Sequence, residues 1–211
     1  MTTNFTRSTL IPAVLASAML GGCAPSLQPI QVTRFHAPEI ANAGQYGSIS
    51  VVSAPSGAGE IGGESGATLA VAPYHDAVLA ELVRIGFTPA ASGSSTRVAE
   101  VKLTRSTWQP GRDGSPVSVG VGGSTGSYGS GVGVGLGIDL SGPPPEQVGT
   151  HMSVVIRDRA SGQSVWEGRA EQVVAAKQEL AQPAASAQAL AKALFVDFPG
   201  ENGESYSVKQ K

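Results

Sequence analysis

The chain has one cysteine, Cys23, and its neighbours define the chemistry open to it. Leu20-Gly21-Gly22-Cys23 sets an apolar residue and two small residues ahead of a thiol. Small side chains let a peptidase reach the backbone, and a thiol accepts a diacylglyceryl group as a thioether. Cleavage before Cys23 frees an amine that can take a further acyl chain. The pattern predicts lipidation at Cys23, with Leu20, Gly21 and Gly22 as the cleavage motif. Each acyl methylene buried in a bilayer is worth ~0.8 kcal/mol, and two or more chains anchor stably. A competing reading is Ala16-Ser17-Ala18, an A-x-A site of ordinary secretion that leaves Cys23 unmodified. On either reading a lone cysteine forms no internal disulfide.

The residues ahead of Cys23 fit the part. Arg7 and the amino terminus supply positive charge, and Leu10 to Leu20 is apolar. That run is too short to span a bilayer, which takes about 20 residues. Charge, a short apolar run and small residues make a secretory leader rather than a transmembrane helix. Residues 1–22 are therefore expected to be a lipoprotein signal peptide and 23–29 a lipidated tether. Residues 30–200 are expected to form a single domain and 201–211 a disordered polar tail. Ala24 stands where some bacteria use Asp to retain lipoproteins at the inner membrane. The expected location is the periplasmic face of the outer membrane.

Elsewhere, the search for chemistry finds little. Charged residues make up 14% of the chain and the formal charge is −2. The charge forms no basic stripe, so nucleic-acid binding lacks its electrostatic footprint. Nucleophile-elbow, phosphate-loop and HExxH patterns are absent, and no cysteine pair exists for zinc. His36, His75 and His151 fall in three separate elements. Asp139, Asp158 and Glu167 are the carboxylates that a sheet could bring together. Asp158 reads more simply as the cap of a turn, and Trp166 and Trp108 as packing anchors. The chain is thus read as non-enzymatic, with no metal and no cofactor beyond the acyl lipid.

The elements that must position these residues are legible from periodicity. Ile30–Phe35 and Gly47–Ser53 read as strands, and Arg97–Trp108 alternates as a half-buried one. Val71, Tyr74, Val78, Leu82 and Ile85 form one apolar stripe. They predict a helix over 72–85, with Pro73 in its first turn. Between 117 and 140, Val117, Val119 and Val121, then Val132, Val134 and Leu136, recur at period two among glycines. They predict a Gly-rich hairpin with a loop over 122–131 and mark a possible interaction surface, since an uncharged strand edge can add to a partner. Thr150–Asp158 and Ser164–Val174 read as strands around a turn, and a helix is expected over 183–198. The fold class is α+β: an antiparallel sheet with two helices packed on one face and the hairpin in the middle.

The C-terminal third carries a specific combination. Val154-Val155-Ile156-Arg157-Asp158 is an apolar strand ending in Asp, and Ser161-Gly162 supplies a turn. Val165-Trp166-Glu167-Gly168 follows, and the last helix runs into Phe198-Pro199. In these motifs, in the Gly-rich middle and in the Cys23 leader, the chain resembles the bacterial lipoproteins of domain of unknown function 4136. The strand beginning Arg97-Val98-Ala99-Glu100 departs from that family's pattern. The resemblance implies structural roles for Asp158, Gly162, Trp166, Gly168, Phe198 and Pro199. It also implies an envelope location, with no reaction attached. The function expected is a lipid-anchored, non-catalytic interaction or assembly accessory with an envelope protein as partner. The alternatives are an envelope hydrolase using sheet-borne carboxylates and a carrier of hydrophobic ligands.

Overall fold

A computed structural model of the protein describes residues 27–41, 46–54, 68–111, 117–126, 129–138 and 144–210. For residues 68–69, 117–126 and 129–138 it describes the backbone alone. Nine strands and three α-helices are found among these residues. Seven strands form one sheet. In spatial order they are β3 (Thr88–Pro89), β2 (Ser48–Ser53), β4 (Arg97–Trp108), β7 (Gln147–Asp158), β8 (Ser164–Ala175), β1 (Ile30–His36) and β9 (Glu204–Val208). The class is mixed α and β, dominated by sheet.

The sheet's long strands owe their form to strict alternation. Ala99, Val101 and Leu103 of β4 are buried, as are Val148, Met152, Val154 and Ile156 of β7 and Trp166, Ala170 and Val174 of β8. Period two puts each set on one face. The register pairs Ala99 with Ile156, Val101 with Val154 and Leu103 with Met152, so the apolar sets coincide. Helix α2 (Thr68–Arg84) buries Val71, Tyr74, Val78 and Leu82, and α3 (Pro183–Leu194) buries Ala187, Leu190, Ala191 and Leu194. The two helices pack on each other, α2 also against β2, β3 and β4, and α3 against β8 and β1. Apart from Val148 and Val174, these buried side chains form one core, which also takes in Ile40 of the short helix α1 (Pro38–Ala41).

Several expectations need correction. The sheet is not wholly antiparallel: β2 runs parallel to both β3 and β4. The cause is α2, which carries the chain back across the sheet as a crossover, and a crossover returns it in the same direction. The expected disordered tail, 201–211, whose residue 211 lies outside the described residues, contains a strand: Glu204–Val208 forms β9 and pairs antiparallel with β1. Tyr206 anchors it by donating its hydroxyl to the Ala193 carbonyl at 2.8 Å. The body begins before Ile30, since Leu27 packs with Val148, Val174 and Ala181 in a second apolar cluster. Helix α2 starts at Thr68, which puts Pro73 inside it. Helix α3 ends at Leu194, and Phe195–Pro199 turns away through Asp197 at φ +50.

The Gly-rich stretch forms a separate two-stranded antiparallel sheet, β5 (Val117–Gly126) with β6 (Gly129–Ile138). Its strands take in most of the segment expected as loop, because glycine and serine accept extended backbone once a partner strand completes the hydrogen bonds. Of that loop, residues 127–128 lie outside the described residues.

Candidate interaction surface

Leu20, Gly21, Gly22 and Cys23 lie outside the described residues. Val117, Val119 and Val121 fall on β5, opposite Ile138, Leu136 and Val134 of β6. Val132 is paired with Gly123, while Gly120 faces Gly135 and Gly122 faces Gly133.

The six motif residues of the C-terminal third separate into two groups. Asp158 and Gly162 make the turn between β7 and β8. The Asp158 carboxylate accepts from the Ser161 amide and hydroxyl, each at 2.9 Å, and Gly162 takes φ +70. The Ser161 donors hold the Asp158 carboxyl below its usual range, the amide contributing most. Trp166, Gly168, Phe198 and Pro199 converge in the core. The Trp166 indole N–H donates to the Pro199 carbonyl at 3.2 Å, and its ring lies 5.4 Å from that of Phe198. A Cβ on Gly168 would overlap the indole, so glycine is what lets the ring lie along β8.

Other predicted groups are not brought together. Glu167 pairs with Arg169 at 2.5 Å and stands opposite Val155 of β7, whereas Asp158 is committed to its turn. Asp139 lies outside the described residues. His36 meets the Gly200 carbonyl at 3.1 Å, His75 meets the Ser53 hydroxyl at 3.3 Å and His151 meets Glu171 at 3.0 Å. Among the described residues no three metal-ligating side chains gather.

His75 has a measurable consequence. Burial holds its imidazole below the ordinary value, with Asp76 pulling the other way. As pH falls through about 6.5, the unfolded chain takes up a proton before the folded one does. Stability is therefore full above that pH and declines below it. His75→Gln is expected to flatten the fall in the urea midpoint between about pH 7.5 and pH 5.5. An unchanged slope would clear His75 of that role.

What the sequence reading missed lies at one end of the sheet. Trp108 is 41% exposed rather than a core anchor, and its ring lies against Gly149, where a Cβ would come within 2.8 Å. Val173, 37% exposed, is the β8 partner of Gly149. The signal was there in Gly149, a glycine in an otherwise regular alternation. At the far end of the same open face Phe35 is 47% exposed. A separate groove of about 360 Å³ lies between α3, β1 and β9. Ile30, Ala189, Ala193, Val196 and Val208 line it, with Lys192 and Lys209.

No helix among the described residues is long and apolar enough to cross a membrane. No family profile matches the chain. No curated protein matches it either. Among solved structures, the crystal structure of a PDZ domain protein from Parabacteroides distasonis is similar, at 9% identity and a TM-score of 0.46. The similarity covers 86% of this chain and 39% of that one.

Proposed function

We propose that this chain is a bacterial envelope lipoprotein, kin to those of domain of unknown function 4136. It is anchored through lipid on Cys23 at the periplasmic face of the outer membrane and acts by contact rather than catalysis. The observation that carries this reading is the leader: a short apolar run ending in Leu20-Gly21-Gly22-Cys23. Leu27 packs on the body four positions later, so on this reading a lipidated Cys23 holds the domain close to the bilayer. On this reading the helices occupy one face of the sheet. The partner is then met by the other face, by the strands carrying Val117, Val119, Val121, Val132, Val134 and Leu136, or by both.

The test is the mass of the mature N-terminus. The expected product begins at Cys23 and carries thioether-linked diacylglycerol plus an N-acyl chain. Cys23→Ser is expected to remove both acyl groups and to leave the leader uncleaved, so that precursor accumulates. A mature chain that begins at Met19, or one that retains Met1, would overturn the reading.

A second reading, a carrier of hydrophobic ligands, is favoured by the groove beside Ile30. Its volume of about 360 Å³ lies within the ordinary size of small-ligand sites, and its lining is mostly apolar. Val208→Trp is expected to fill it and to abolish uptake of a fluorescent fatty acid. Uptake that persists at parent level would exclude the groove as the carrier site.

A further inference from the structure

Topology fixes where the Gly-rich hairpin leaves the body. Strand β4 ends at Trp108 and β7 begins at Gln147, and these two residues are register partners. Gln147 is paired in turn with Ala175 of β8. Everything between Trp108 and Gln147 therefore departs from and returns to this end of the sheet. Leu27 packs at the same end, against Val148 and Val174. It stands four positions after Cys23, and four extended steps reach at most about 14 Å.

The segment that emerges there is uncharged from Val117 to Ile138. Its register segregates it by face. Val117, Val119 and Val121 share a face with Ile138, Leu136 and Val134, and the other face holds only glycine and serine. The apolar pairs lie at the end of the hairpin nearer in sequence to Trp108 and Gln147, whereas Thr125 and Ser130 pair toward its tip. At the end of the sheet from which the segment departs, Trp108 and Val173 are partly exposed, and an exposed tryptophan is the residue favoured at headgroup depth.

From this juxtaposition we infer that the β5–β6 hairpin rests on the phospholipid surface, apolar face down. It then acts as a second membrane contact that sets the sheet end-on to the bilayer. The reading relies on the lipid anchor for which surface lies near, but its test does not use the anchor. A second copy of the chain is the rival occupant, because uncharged strand edges also invite pairing. Edge pairing draws on backbone along the whole strand and does not call for one apolar face concentrated at the base.

The experiment is flotation of the mature chain carrying Cys23→Ser with vesicles of phosphatidylethanolamine and phosphatidylglycerol. The unacylated chain is expected to float. Val119→Asp with Leu136→Asp is expected to lower the bound fraction about tenfold, or about 1.4 kcal/mol, since charge on a lipid-facing strand is unfavourable. The thermal midpoint should stay at the parent value. In a Trp166→Phe background, brominated lipid should quench Trp108 emission, which reads contact without disturbing the hairpin. Failure of the parent to float, flotation unaffected by the two aspartates, or absence of quenching would each overturn the inference. Crosslinking between copies through β5 without vesicles would do the same and assign the surface to self-association. The acyl mass at Cys23 is a separate readout, so loss of the anchor reading and loss of this one are distinguishable.

Discussion

Trp166→Ala is expected to lower the unfolding free energy by about 3–5 kcal/mol, the usual cost of truncating a large buried aromatic. The side chain is almost wholly buried. Its ring stacks on Phe195 at 5.1 Å and tilts against Phe198 at 5.4 Å, and Phe198 reaches on to Tyr46 and Phe87. The truncation empties the middle of this aromatic row and strips the Pro199 carbonyl of its indole donor. The site cannot collapse easily, because Gly168 beneath the ring has no side chain to move into the space. Trp166→Phe should cost less, about 1–2 kcal/mol, because it keeps most of the area and loses the hydrogen bond. Urea unfolding followed by far-ultraviolet dichroism measures both. Equal, small losses would show that the row contributes little.

Arg34→Ala is expected to cost about 2–3 kcal/mol and to loosen β9 selectively. The guanidinium is buried between the sheet and the segment after α3. Its Nε donates to Glu204 at 2.5 Å, an Nη donates to the Val196 carbonyl and its Cζ lies over the Tyr206 ring, 4.8 Å from the ring centre. The ion pair is the smaller part of this. Glu204 is partly exposed, and its carboxyl is held below the ordinary range first by the Glu201 amide and only then by Arg34. What alanine removes is chiefly the carbonyl contact and the stacking on Tyr206. Gly200, at φ +81, marks how tight the fit is: a Cβ there would overlap the guanidinium. Arg34→Lys should not rescue the loss, since a lysine has neither the planar fork nor the stacking face. Amide exchange over Glu204–Val208 should quicken well before that of β7 and β8. Unchanged protection of those amides would refute the assignment.

Alternation carried most of the fold. β4 begins and ends where its pattern does, at Arg97 and Trp108, and β8 runs one residue past its expected end. The stripe from Val71 to Leu82 located α2, and Gly86 after it takes φ +111. What was illegible depends on partners distant in sequence. Nothing local in Glu204-Ser205-Tyr206-Ser207-Val208 outweighs its polarity; the free edge of β1, some 170 positions earlier, makes it a strand. The parallel pairing of β2 likewise follows from the path through α2 rather than from the residues of β2. Phe198 lies at helical spacing from Leu194, yet it leaves the helix because the aromatic row from Trp166 to Tyr46 offers it more contact. For the interaction surface, period two revealed the apolar face of the hairpin. That its two connections leave the sheet at the end where Leu27 packs emerged only once the register of β4, β7 and β8 was known.

The position of β1 constrains how this polypeptide can be made. The first strand of the sheet lies between β8 and β9, the last two strands to leave the ribosome. Until those arrive, Ile30–His36 has no neighbour on either side, and Arg34 has neither its counter-ion nor its carbonyl. The sheet therefore cannot close around a nascent fragment. In a chain threaded amino end first through a narrow channel, β1 would find its place only after β8 and β9 had followed it to the same side.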